Sequence, residues 1–141
     1  MTDLHSMRGY RISFFGSSLV SAYWNGAATY YRGLLRALNS LGAEIAFYEP
    51  DAYRRQEHRD LPDPLWAKVE VYPAEESAAL QALEKARDSD LVVKASGVGV
   101  FDELLEAGVL DLRRSGNLVA FWDVDAPATL DRIGKDANDP F

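Results

Sequence analysis

Cysteine is absent from the chain, and histidine occurs only twice, at His5 and His58. Without thiols there can be no disulfide, no thiolate metal site and no cysteine nucleophile. The two histidines stand far apart with no metal-ligand spacing around either, so no metal site is expected. Basic residues are also in deficit. Fifteen lysines and arginines face 22 aspartates and glutamates, a net charge of −7. That balance repels a phosphate backbone and excludes nucleic acid as a main partner. No run approaches the roughly 18 apolar residues of a membrane span, and the first ten residues lack the apolar stretch of a signal peptide. No membrane partner is expected, and the expected compartment is the cytosol.

What is present is a chain of 141 residues, the size of one domain. A domain of this length buries roughly 68–70% of its unfolded surface, enough for a core without staples. Residues 1–9 show no periodicity and read as a loose N-terminal tail. From 10 to 141, short apolar runs alternate with amphipathic segments. Strands are predicted over Arg11–Phe15, Glu44–Tyr48, Val69–Tyr72, Asp90–Lys94 and Leu118–Trp122. Helices are predicted over Ala27–Leu41, Glu75–Arg87 and Val100–Leu110, the last with a break near Gly108, and another begins near Ala126 or Pro127.

In the first helix Ala27, Tyr31, Leu34, Leu38 and Leu41 share one face, Asn25 is the expected N-cap, and Gly42 supplies the left-handed position after the end. Gly33 inside it is read as a site of close helix–sheet packing. In the second, Ala79, Leu80, Leu83 and Ala86 are expected inward. Strand–helix alternation without hairpin signals implies right-handed crossovers. The fold is therefore an α/β, Rossmann-like, doubly wound, mainly parallel five-stranded sheet of order 3-2-1-4-5, with helices on both faces. Its crevice opens where strands 1 and 4 part, between Gly16–Gly26 and Ala95–Gly99.

The loop from Gly16 to Gly26 exceeds the usual 2–6 residues of a βα connection. Gly16, Ser17, Ser18, Trp24, Asn25 and Gly26 are its candidate binding residues, suited to a hydroxyl-rich or anionic ligand near a helix N-terminus. No Gly-x-Gly-x-x-Gly follows strand 1, and Glu49 alone, at the position of a ribose-binding acid, does not make a dinucleotide site. No cofactor is expected. Ser96, Gly97 and Gly99 form a tight turn that can hold a phosphate or simply link strand to helix, and Lys94 before it either adds charge or flanks the sheet. Asp123 and Asp125 either hold a divalent cation, or Asp125 caps the following helix while Asp123 accepts backbone hydrogen bonds. The run Arg54–Asp60 is a solvated surface, or else an arginine site for an anionic group.

Several blocks of wording resemble CgeB-like glycosyltransferases over about residues 11–133. They are Phe14–Ser18, Tyr23–Gly33, Phe47–Asp51, His58–Pro62, Val93–Gly99 and Trp122–Pro127. The resemblance implies the amino-terminal, acceptor-side domain of a GT-B glycosyltransferase, metal-independent, with a nucleotide sugar and an unknown acceptor as partners of the full-length parent. It makes Asp123 or Asp125 a candidate general base, with Glu49 as the alternative. Since the sequence ends at Phe141, the donor half would be missing and the chain alone inactive as an enzyme. An exposed interdomain face would then favour a homodimer. The alternative is a non-enzymatic ligand-binding or assembly module of the same fold.

Overall fold

Apolar runs too short to be helices become strands, and the computed structural model describes residues 6–141 of the chain as five of them interleaved with four helices. The order along the chain is β1 (Arg11–Phe15), α1 (Ala28–Ser40), β2 (Glu44–Asp51), β3 (Lys68–Pro73), α2 (Glu76–Lys85), β4 (Leu91–Ala95), α3 (Asp102–Asp111), β5 (Leu118–Trp122) and α4 (Ala126–Lys135). A 3-10 turn at Gln56–His58 interrupts the connection between β2 and β3. All strand pairs are parallel, and the sheet runs β3-β2-β1-β4-β5. The expected fold class and strand order therefore hold.

Alternating side chains divide the core between the two faces of the sheet. Ile12, Phe14, Ile45, Phe47, Val93 and Ala95 pack with Tyr31 and Leu35 of α1 on one face. Phe15, Tyr48, Tyr72 and Val92 pack with Ala79, Ala82 and Leu83 of α2 and with Leu105 and Val109 of α3 on the other. Phe14 is the hinge of the first cluster, its ring 5.4 Å from Phe47 and 5.1 Å from Tyr31.

Helix faces differ in detail from the sequence pattern. On α1 the buried residues are Ala28, Tyr31 and Leu35, while Leu41 is exposed. The N-cap is Ala27, with no side-chain cap, because the Asn25 side chain is turned into the preceding loop instead. Gly42 does take the left-handed conformation, at φ +104°. On α2 it is Ala82, not Leu80, that is buried.

Two glycines exchange their expected roles. Gly33 is exposed, and a Cβ added there would meet nothing within 4 Å, so no close packing requires it. Gly108 does not break α3. The helix runs through it, since a Cβ there would lie 2.3 Å from Leu83 Cδ1 of α2 and only hydrogen lets the two helices approach.

The expected tail lies partly outside the described residues, which begin at residue 6. Within them, the Met7 N–H donates to the Leu41 carbonyl at 2.8 Å and its side chain packs against the α1-face core. None of the described helices is long and apolar enough to cross a membrane.

Candidate functional site

Parallel strands send their C-terminal ends to one edge, and the two central strands, β1 and β4, begin crossovers in opposite directions there. The loops that follow β1, β2 and β4 meet at this switch point, where open α/β sheets hold their ligands.

The loop after β1 is long because it builds its own interior. Ser17, Ser18, Ser21 and Asn25 are all buried. The Ser17 hydroxyl donates to Asn25 Oδ1 at 2.7 Å, and Asn25 Nδ2 donates to the Ser18 and Ser21 carbonyls at 2.9 Å each. Glu49, fully buried on β2, fixes the loop to the sheet. One of its oxygens accepts the Ser18 hydroxyl at 2.8 Å and the Gln56 amide at 2.6 Å, and the other accepts the Leu19 N–H at 2.6 Å. Buried backbone and carboxylate groups away from secondary structure need such partners. The hydroxyls that looked ligand-facing in sequence are thus engaged inside the loop. Gly16 lies beneath the aromatic cluster, where a Cβ would come within 2.6 Å of Phe47 Cζ, whereas Gly26 is exposed.

The connection after β2 is laced to the same loop. The Asp60 and Leu61 N–H groups both donate to the Val20 carbonyl, and Ser21 Oγ donates to the His58 carbonyl. The Asp60 carboxylate receives both arms of the Arg32 guanidinium, at 2.8 and 2.7 Å, and the Ala22 N–H at 2.9 Å. Arg32 chiefly, with the Ala22 N–H, outweighs partial desolvation and lowers the Asp60 pKa to about 2.

What remains open is a cavity of about 480 Å³ lined by Tyr23, Trp24, Tyr53, Arg54, Arg55 and Gly99. Trp24 is 84% exposed, and Tyr53 and Tyr23 are partly so. Tyr23 stacks on His58 with centroids 4.0 Å apart and meets Trp24 edge-on. Tyr53 spans the crevice, donating its hydroxyl to the Gly99 carbonyl at 2.6 Å.

Trp24, Tyr53, Arg54 and Phe101 all have left-handed backbone, with φ between 46° and 58°. Side chains rarely adopt it, and such strain gathers at binding sites. Arg55 is only 7% exposed, its guanidinium carbon 5.0 Å from the Tyr53 ring centroid. Its Nη1 reaches the Ser17 carbonyl at 3.5 Å and its Nε has no partner. Desolvation lowers the pKa of Arg55, against the opposing pull of Tyr53, Glu49 and Tyr31.

The turn after β4 is used internally. The Val98 and Gly99 N–H groups donate to the Asp102 carboxylate, at 3.1 and 2.8 Å, and the Ser96 hydroxyl accepts the Val124 N–H at 3.0 Å. Gly97 and Gly99 carry φ of +67° and +97°. An aspartate therefore occupies the place considered for a phosphate, and the turn serves to link strand to helix. Lys94 does not reach the crevice. It is fully buried and pairs with Asp102 and, at 3.4 Å, with Glu106.

Asp125 stands at the N-cap of α4 without a side-chain cap bond, and Pro127 is in the first turn. Asp123 accepts the Asp125 N–H at 2.9 Å. Partial desolvation raises the Asp123 pKa, but the Asp125 N–H, the Thr129 and Ser96 hydroxyls and the Arg132 charge together bring it below the ordinary value. Neither aspartate lines the cavity. Among the described residues no three histidine or acidic side chains cluster as metal ligands.

No family model matches the chain, and no curated protein matches it. Among solved structures it is similar to the C-terminal domain of the coenzyme A biosynthesis bifunctional protein CoaBC. The TM-score is 0.55 at 14% identity, over 92% of this chain and 70% of that one. The likeness is one of fold. It overturns the resemblance to CgeB-like glycosyltransferases, and with it the GT-B half-enzyme and its nucleotide-sugar and acceptor partners.

The residues that carried that resemblance have a structural explanation. Gly16, Ser17, Ser18 and Asn25 build the loop's interior, Glu49 clamps it, and Gly99 and Asp102 close the next turn. Such a pattern marks a way of finishing a parallel sheet, not a chemistry. Of the residues singled out from sequence, Trp24 and Gly99 line the cavity, as do Arg54 and Arg55 of the run Arg54–Asp60. Tyr23 and Tyr53 join them. A left-handed φ at Tyr53 leaves no trace in composition.

Proposed function

We propose that the chain is a Rossmann-like ligand-binding module whose site is the crevice between the loops after β1, β2 and β4. The observation that supports it is the cavity itself. Three loops converge on an open space of about 480 Å³ lined by aromatic rings and a buried arginine. That volume falls within the range of small-molecule sites, roughly 300–1,000 Å³, which pair apolar walls with few polar groups. Binding is the activity assigned, since the carboxylates considered as general bases stand outside the cavity. Tyr23, Trp24, Tyr53, Arg54, Arg55 and Gly99 make up the site, and the cysteine-free composition favours the cytosol.

The test is a panel of neutral and charged small molecules, followed by melting temperature and tryptophan emission. Binding is expected to raise Tm, and Trp24→Ala combined with Tyr53→Ala is expected to abolish the shift. Hits unaffected by the double substitution would place the site elsewhere and sink the proposal.

One feature favours assembly as a second role. Among the described residues α1 is the one helix packed on its face of the sheet, and an apolar groove of about 230 Å³ runs along Leu34, Leu38, Leu91, Val93, Ala120 and Trp122. Leu118 and Leu130 are also exposed, at 64% and 67%. A homodimer through this groove would shield it. Sedimentation should then show a dimer that Trp122→Asp dissociates. A wild-type monomer at all concentrations excludes it.

A further inference from the structure

Four arginines belong to the elements that border the crevice, Arg32 on α1 and Arg54, Arg55 and Arg59 on the connection after β2, and three of them already have a carboxylate. Arg32 is bound by Asp60, Arg54 by Glu57 at 2.8 Å, and Arg59 by Asp63. Arg55, the fourth, has no carboxylate partner among the described residues. It is the most buried of the four, and a guanidinium has five donors in a planar fork shaped for two acceptor oxygens. Here one donor makes a contact at 3.5 Å, at the limit of a hydrogen bond, and Nε makes none. The nearby carboxylate, that of Glu49, is consumed by Ser18, Leu19 and Gln56. A buried charge is costly unless it is paired and hydrogen-bonded.

The Tyr31 hydroxyl, also buried on α1, has no hydrogen-bond partner either. Burial raises its pKa, and the adjacent Ser17 and the Arg55 charge act against that rise. Flat rings line the cavity beside Arg55. The Tyr53 ring lies against the Arg55 guanidinium, and Trp24 is held out to solvent by a left-handed backbone.

Resting on the crevice as the binding site, we propose that its ligand is a flat aromatic ring carrying an anionic group, with the ring on Trp24 and Tyr53 and the anion on Arg55. Cation–π contact with Tyr53 and the planar fork fix the anion's direction, and exposed rings supply a stacking surface indifferent to ring identity. The anion is either a phosphate, as in a nucleoside monophosphate, or a carboxylate, as in an aromatic acid. Both present the paired oxygens the fork accepts.

The experiment is calorimetric titration of the full chain with AMP, adenosine, ribose 5-phosphate and indole-3-acetate. AMP or indole-3-acetate is expected to bind at least tenfold tighter than adenosine, and ribose 5-phosphate to bind more weakly than AMP. Whichever anion binds tighter identifies the source. Arg55→Met should erase the gap between AMP and adenosine, and Arg55→Lys should recover only part of it. The AMP and adenosine comparison on the wild type needs no variant, so it decides even if Arg55→Met fails to fold. Equal affinity for AMP and adenosine, or a gap that persists in Arg55→Lys and Arg55→Met, overturns the anion assignment while leaving a crevice site for neutral ligands intact. No binding by any of the four, with other panel compounds still held by Trp24 and Tyr53, overturns the ligand class alone.

Discussion

Replacing Lys94 with methionine is expected to destabilise the fold by about 3–5 kcal/mol, the usual cost of removing one partner from a buried ion pair. The lysine ammonium is fully buried and faces two carboxylates, of Asp102 and Glu106, on α3. Glu106 keeps a second cation, Arg132 of α4, at 3.2 Å. Asp102 is left with only backbone donors, those of Val98 and Gly99. The loss should therefore be felt twice, in global stability and in the turn after β4, whose geometry depends on the Asp102 carboxylate. Urea unfolding measures the first, and amide exchange at Val98 and Gly99 the second. Substituting Lys94 and Asp102 together by methionine and asparagine should recover part of the loss, because no carboxylate is then left unpaired at position 102 and the amide oxygen can still accept from the turn. A single substitution costing less than about 1 kcal/mol would show that the ammonium is not the group holding α3 to β4.

Glu49→Ala is expected to cost about 3 kcal/mol or more, since each buried donor left without its acceptor costs about 1–3 kcal/mol. Three donors are affected: the Ser18 hydroxyl, the Leu19 N–H and the Gln56 amide. Because two belong to the loop after β1 and one to the connection after β2, the substitution releases both walls of the crevice at once. Ligand affinity should fall together with the urea midpoint. Glu49→Gln, which keeps an acceptor oxygen in place, should lose less of both. If Glu49→Ala lowered stability but left affinity unchanged, the crevice would not depend on this clamp.

The fold was legible because five apolar runs separated by amphipathic segments and no hairpin turns leave few topologies, and the right-handed crossover rule prunes those. Strand limits were read to within a few residues, and β2 was the poorest. The expected strand ends at Tyr48, yet β2 continues through Pro50 to Asp51. The ladder explains this. The Tyr48 carbonyl accepts the Gly16 N–H, so by alternation Pro50 points to the same side, where β1 has already ended and no donor is missed.

The site was half legible. Loop length and the arginine-rich run pointed to the right edge of the sheet, but the serines were read as outward because composition does not record direction. Ser18 could not be known to face Glu49, 31 residues away, without the sheet register that brings β2 beside β1. Tyr53 was missed for the complementary reason, since its placement depends on a left-handed backbone turn that neither glycine nor proline announces, and Arg55 was visible only as one member of the Arg54–Asp60 run.

The two outer strands of the sheet are unequally protected. β3 carries Lys68, Glu70 and Pro73, and charges and proline of this kind hinder another chain from zipping onto an open backbone. β5, Leu118–Trp122, has neither a charge nor a proline, and among the described residues its only partner strand is β4. Its free rim thus offers hydrogen-bonding groups beside apolar side chains, the combination from which cross-β stacking begins. On storage or warming, aggregation should start at β5, and Leu118→Lys is the gatekeeper substitution that would delay it.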